Sequence, residues 1–193
     1  MTERQKEITD AVVKIIAHKG IQRLTVKNIA KNMNFTEAAL YRHFSSKKDI
    51  LLAILARFEE LSENYEDLHK KFTNPLKKIE HFIQHRFKKF KQFPELAKVM
   101  FSEEIFQHDP DLSKGVLQIM QKHKLQLKTI IKQGQKTGDI RNDIDAQTIF
   151  RIVIGSSRLL ITQWSLNNFS FDIEVEGLSL WQNLKQIITN TNS

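Results

Sequence analysis

Each of the three prolines in this 193-residue chain stands where a helix can begin. Asn74-Pro75, Phe93-Pro94 and Asp109-Pro110 put proline at a first helical position, where its missing N–H is not needed and its fixed φ suits the helix. Asn74 and Asp109 add side-chain oxygens that can cap the orphan N–H groups of the first turn. With only six glycines as further breakers, long stretches run uninterrupted. Helices are expected near 75–92, 94–107 and 110–137. Gly138 ends the last of these, and Asp145 and Asp172 cap two more near 145–168 and 172–190. Upstream, Ile8, Val12, Ile15 and Ile16 make a one-sided helix over 3–18, with Gly20 behind it. Ser46 and Asp49 resemble a capping box and start a helix that runs to about residue 72. No alternating strand segment appears. The fold class is all-α, with about nine helices.

Composition narrows the chemistry. There is no cysteine, which excludes disulfides, thiolate metal sites and cysteine nucleophiles. No apolar run is long enough for a membrane span, and the charged start is unlike a signal region. A cytoplasmic location with no membrane partner is the expectation. The net charge is +8, and its distribution is uneven. Residues 1–50 hold ten Lys/Arg against five Asp/Glu; the rest of the chain holds twenty against seventeen. A quarter of the chain therefore carries most of the excess, as a footprint for phosphate requires.

That quarter contains TVKNIAKNMNFTEAALYRHFSSKK, residues 25–48. Thr25 can cap one short helix, in which Ile29 and Met33 face inward. Asn34 tolerates the left-handed backbone of a helix end. Thr36 can cap a second helix with Ala39 and Leu40 inward. Thr36, Glu37, Ala38, Tyr41, Arg42 and His43 remain outside. This is a helix-turn-helix, whose second helix enters a DNA major groove.

Thr25, Ile29-Ala30, Thr36, Leu40-Tyr41-Arg42-His43-Phe44, Lys48 and Ile50-Leu51 resemble the amino-terminal signature of TetR/AcrR-type transcriptional regulators. Three positions depart from it: Asn34 replaces the turn glycine, Phe35 the following valine, and Ala38 the glycine of the second helix. The resemblance implies a three-helix DNA-binding domain over 1–50 and a larger helical ligand-binding and dimerisation domain over 51–193. It implies a repressor that binds a palindromic operator in double-stranded DNA as a homodimer and is released by a small apolar or amphipathic inducer. Phosphate contacts are expected from Thr25, Lys27, Tyr41, His43, Lys47 and Lys48, base contacts from Thr36, Glu37 and Ala38, and Arg42 reaches either a guanine or a phosphate. Arg4 and Lys6 are candidates for the DNA backbone.

The remainder of the chain matches the family only in length and helical rhythm. Residues 58–127 are rich in Phe, which suits either a core or an apolar cavity. Phe101, Phe106, His123 and Trp164 are the candidate pocket residues. Residues 77–91, strongly basic with interleaved aromatics, read as an amphipathic helix, with Ile79, Phe82, Ile83, Arg86/Phe87 and Phe90 inside and lysines solvated outside; a second nucleic-acid surface or an anionic-ligand site is the other reading. The last two helices carry broad apolar faces. A dimer built from them, as the resemblance implies, would use Ile152, Ser156, Leu159, Leu178, Trp181, Leu184 and Ile188. His81/His85 and Glu104/His108 have a four-residue spacing, but no HExxH pattern surrounds them, so no metal or cofactor is expected. No phosphate loop or nucleophile elbow points to an enzyme. A constitutive DNA-binding protein or an activator without an inducer is the alternative.

Overall fold

The computed structural model describes residues 1–62 and 65–189. Among these there are eleven α-helices and no strand. They are α1 (Glu3–Lys19), α2 (Val26–Met33), α3 (Glu37–Tyr41), α4 (Lys47–Leu61), α5 (Tyr65–Lys71), α6 (Pro75–Gln92), α7 (Pro94–Met100), α8 (Glu103–Phe106), α9 (Pro110–Thr137), α10 (Ala146–Leu166) and α11 (Ile173–Ile188), with a 3-10 turn at Ile21–Arg23. The caps at Asn74, Asp145 and Asp172 form as the sequence predicts. Asp109 Oδ1 accepts from the Asp111 and Leu112 N–H groups at the start of α9.

Two expected helices are divided. The one beginning at Lys47 ends at Leu61, and α5 follows; residues 63–64 lie outside the described residues. The one beginning at Pro94 stops at Met100, where the Ser102 N–H turns back to the Val99 carbonyl and the α-helical ladder ends. These two divisions account for eleven helices in place of about nine.

The chain folds as two compact units. The first comprises Met1–Leu61 and Glu95–Ile119, the second Ser62–Pro94 and Met120–Ser193. In the first, α1 packs on α2 and α4. Ile8, Val12, Ile29, Leu40, Ile50 and Ile54 are almost wholly buried there. Each side chain of this kind contributes about 1.5–3 kcal/mol by leaving water. Thr9 shares this core because its hydroxyl donates to the Gln5 carbonyl at 2.7 Å.

In the second unit, α6 packs against α10 and α11. Ile79, Phe82, Ile83, Phe87 and Phe90 form its inner stripe, as the periodicity predicts. Lys78 does not follow the expectation of solvated lysines: it is buried, and it donates to His69 Nδ1 at 2.9 Å. On α11, Gly177, Trp181, Leu184 and Ile188 lie on one stripe and are all buried within this chain. Trp181, Leu184 and Ile188, expected at a dimer interface, are thus buried within a single copy of the chain. The reason is the close approach of α11 to α6, for which Gly177 leaves room beside the Phe87 ring.

A methyl group at Gly177 would collide with the Phe87 ring, which is itself fully buried and has little room to move aside. Gly177→Ala is expected to destabilise the protein by about 1–3 kcal/mol in urea unfolding. Gly155→Ala, on α10 where nothing lies within 4 Å, is the matched control and should not destabilise it.

Candidate nucleic-acid interface

Local hydrogen bonds set the turn between α2 and α3. Thr25 Oγ1 accepts from the Asn28 N–H at 3.1 Å and starts α2. Asn34 adopts the left-handed conformation, φ 55° and ψ 39°, and donates to the last carbonyls of α2. The Phe35 N–H then reaches back to the Ala30 carbonyl at 2.8 Å. Asparagine accepts this backbone at little cost, which explains why glycine is not needed here. Thr36 Oγ1 accepts from the Ala39 N–H at 3.1 Å and starts α3.

α3 has five residues and buries only Leu40, with Phe44 behind it. A helix this short is not stable alone; packing holds it. α1 supports both of its ends. The Arg4 guanidinium lies 5.2 Å from the centre of the Phe35 ring, and Gln5 Nε2 donates to the His43 carbonyl at 3.1 Å. Neither support is visible in the sequence pattern of 25–48, because both come from residues about thirty to forty positions away.

The structure brings the expected DNA-contacting residues to this part of the first unit. Thr25, Lys27, Thr36, Glu37, Ala38, Tyr41, Arg42 and Lys47 are exposed, while His43 and Lys48 are half-buried. The two threonine oxygens are occupied as caps, so each offers its O–H as a donor. Lys48 is not a free cation: its Nζ lies 2.6 Å from Asp111 Oδ2. That bond holds the Lys48 ammonium above its usual range and the Asp111 carboxyl below its own. Arg4 and Lys6 pair with Glu7 and Glu3 on their own helix. Among the described residues, the other seven Lys/Arg of 1–50 form no ion pair.

The candidate pocket residues divide between the units. Phe101 and Phe106 belong to the first unit, His123 and Trp164 to the second. The indole N–H of Trp164 donates to the Phe171 carbonyl at 2.9 Å, and the ring meets Phe169 at 4.6 Å. His123 sits edge-on to Phe82 at 5.7 Å. Burial, with Arg86 and Lys122 adding to it, brings the His123 imidazolium pKa down to about 3. Burial and then the neighbouring Arg158 lower that of Arg86 to about 10. Sequence reasoning placed Arg86 inside but missed its proximity to His123 and Arg158. Of the expected dimer residues, Ile152 and Ser156 are half-buried, while Leu159 and Leu178 are exposed.

Known bacterial regulators resemble the chain along most of its length. The family described as bacterial regulatory proteins, tetR family, matches residues 8–54, and the C-terminal region of YsiA-like protein matches residues 54–188. A fatty acid metabolism regulator protein of Bacillus subtilis is 26% identical over 171 residues, covering 86% of both chains. An HTH-type transcriptional repressor of Mycobacterium tuberculosis, KstR2, is 24% identical over 161 residues, 79% of this chain and 77% of that one. The crystal structure of the transcriptional regulator FadR from Bacillus subtilis in complex with stearoyl-CoA superposes with a TM-score of 0.82 at 23% identity, over 97% of this chain and all of that one.

The buried imidazole gives a pH dependence. Unfolded, His123 takes up a proton near pH 6.5; folded, it stays neutral down to about pH 3. Between these values the unfolded state binds the extra proton, so stability falls as pH falls, by up to about 1.4 kcal/mol per pH unit. Urea unfolding from pH 7 to 4 is expected to show a shallower acid-side loss for His123→Gln than for the unaltered protein, by about one proton.

Proposed function

The chain belongs to the tetR family of bacterial regulatory proteins, and from that premise we propose that it is a homodimeric repressor that reads a palindromic duplex and releases it on binding an acyl thioester of coenzyme A. Residues 1–50 carry the reading surface, and 51–193 the ligand-binding and dimerisation functions. The observation that carries the reading is α3: it buries Leu40 and leaves Glu37, Ala38, Tyr41 and Arg42 outward on a scaffold rich in unpaired cations.

The contacts divide by chemistry. Tyr41 and the Thr25 hydroxyl donate to phosphates, with Lys27 and Lys47 as point charges and His43 beside them. Lys48 joins them while shared with Asp111. Glu37 can accept from a cytosine amino group, Arg42 can donate to a guanine edge, and Ala38 can touch a thymine methyl. The Thr36 hydroxyl adds a donor near the base edges.

One α3 makes few base contacts, and a two-fold axis doubles them. Leu159, Leu166, Val175 and Leu178 on α10 and α11 are 40–79% exposed. They supply the apolar face for a second copy, beside the half-buried Ile152 and Ser156.

Two similarities support the ligand class: the name of the Bacillus subtilis relative and the stearoyl-CoA bound by its structural neighbour. Within this chain, the apolar stripe of α6 runs beside Arg86, His123 and Arg158. Apolar walls suit an acyl chain, and the two guanidinium groups suit phosphates, while the neutral imidazole can only share a hydrogen bond. Release follows by linkage: a ligand that binds better to the conformer whose two reading helices do not match successive grooves lowers DNA affinity. No helix among the described residues is long and apolar enough to cross a membrane; a DNA reader acts in the cytoplasm.

The division of roles on α3 is testable by fluorescence anisotropy on a selected palindrome and on mixed-sequence DNA. Tyr41→Ala is expected to weaken both about tenfold or more, the worth of a hydrogen bond to a charged group. Glu37→Ala is expected to change the bases preferred in selection while sparing mixed-sequence binding. Equal losses from both variants on both duplexes would contradict the assignment.

A further inference from the structure

A groove of about 420 Å³ lies in the first unit, lined by Ile15 and Lys19 of α1, Arg23 of the 3-10 turn, and Asn28, Lys31 and Asn32 of α2. It lies apart from α3 in the chain and takes no residue from it. Its three cations are exposed. Among the described residues none of them meets a carboxylate, although Arg4, Lys6 and Lys48 in the same fifty residues all do. Cations that share one concavity repel each other, and an anion seated among them removes that cost.

The groove is built rather than incidental. Asn28 Nδ2 donates to the Arg23 carbonyl at 2.9 Å, which fixes the 3-10 turn against α2. Asn32 Nδ2 donates to the Asn28 carbonyl at 2.7 Å. The Asn28 backbone N–H donates to Thr25 Oγ1 at 3.1 Å, so the groove opens from the same helix end whose hydroxyl faces the proposed operator. From Thr25 to Lys31 is about 9 Å along the helix at 1.5 Å per residue. This length is enough to reach neighbouring phosphates of one DNA strand.

We propose that Lys19, Arg23 and Lys31 form a second phosphate-binding track, which holds the sugar-phosphate backbone of duplex DNA flanking the operator half-site. This rests on the repressor reading and extends its footprint beyond the residues near α3. An acidic peptide is the less suited occupant. Peptide docking needs buried apolar anchors, and the only apolar residue of the groove is Ile15, itself nearly inaccessible. The amide and cationic lining matches phosphodiester oxygens, which accept hydrogen bonds and carry charge.

The test compares two duplexes: the palindrome recovered by selection from a random pool, cut to its own length, and the same palindrome extended by one helical turn of mixed sequence on each side. Binding is titrated over a salt series for the unaltered protein and for K19A/R23A/K31A. The unaltered protein should bind the longer duplex more tightly and with a steeper salt dependence. The triple variant should bind both duplexes alike, with a slope on the longer one shallower by about 0.9 for each phosphate it no longer neutralises, and should select the same palindrome. Lys31→Glu, a single change at an exposed helical position, should reproduce the direction of the effect and guards against misfolding of the triple variant. Equal slopes for unaltered and variant protein on the longer duplex would overturn the inference alone. Failure of the unaltered protein to select any sequence would overturn the repressor reading and the inference with it.

Discussion

The left-handed residue between α2 and α3 is the constraint on which the reading surface depends. Once Asn34 takes φ 55°, the chain reverses within two residues and Phe35 returns to the Ala30 carbonyl. α3 then follows the Thr36 cap with its direction fixed, and the single buried residue Leu40 decides which side faces out. A residue that resists positive φ would strain this reversal and turn Glu37, Tyr41 and Arg42 with it. The rest of the first unit serves to hold that geometry. α1 grips Phe35 through Arg4 and the end of α3 through Gln5, while Lys48 ties the start of α4 to Asp111 at the start of α9.

Charge placement carries the second theme. Exposed ion pairs such as Lys48–Asp111 contribute little to stability because water screens them, but they fix where a side chain points. The cations left unpaired in the first unit therefore describe a potential rather than a set of bonds, and they steer a polyanion toward the surface. In the second unit the same residue types are used differently. Lys78 and His123 are buried and Arg86 half-buried, and burial works against their charged forms.

What the sequence reveals and what it hides follow from range. Caps act over two or three residues, so Thr25, Thr36, Asn74, Asp145 and Asp172 were legible, as was the turn at Asn34. Helical periodicity identified the inner stripe of α6 for the same reason. Periodicity shows that a face is apolar but not what covers it. Trp181, Leu184 and Ile188 thus read from the sequence as interface residues, with an intramolecular core as the other reading; in the structure they are buried on the same α11 stripe as Gly177, which meets Phe87 of α6. Lys78 carried no local sign of burial, since its partners His69 and Gln133 come from other helices. Asp111 lies 63 positions from Lys48, beyond any motif.

Ligand-controlled recognition of one DNA sequence is the central claim. Protein refolded from denaturant, and so stripped of any bound ligand, should enrich a palindrome from a random duplex pool. Stearoyl-CoA, and not coenzyme A alone, should then dissociate that complex in an anisotropy titration. No enriched sequence from the refolded protein would contradict the central claim; an enriched palindrome that no acyl thioester releases would leave a DNA reader and contradict its proposed control.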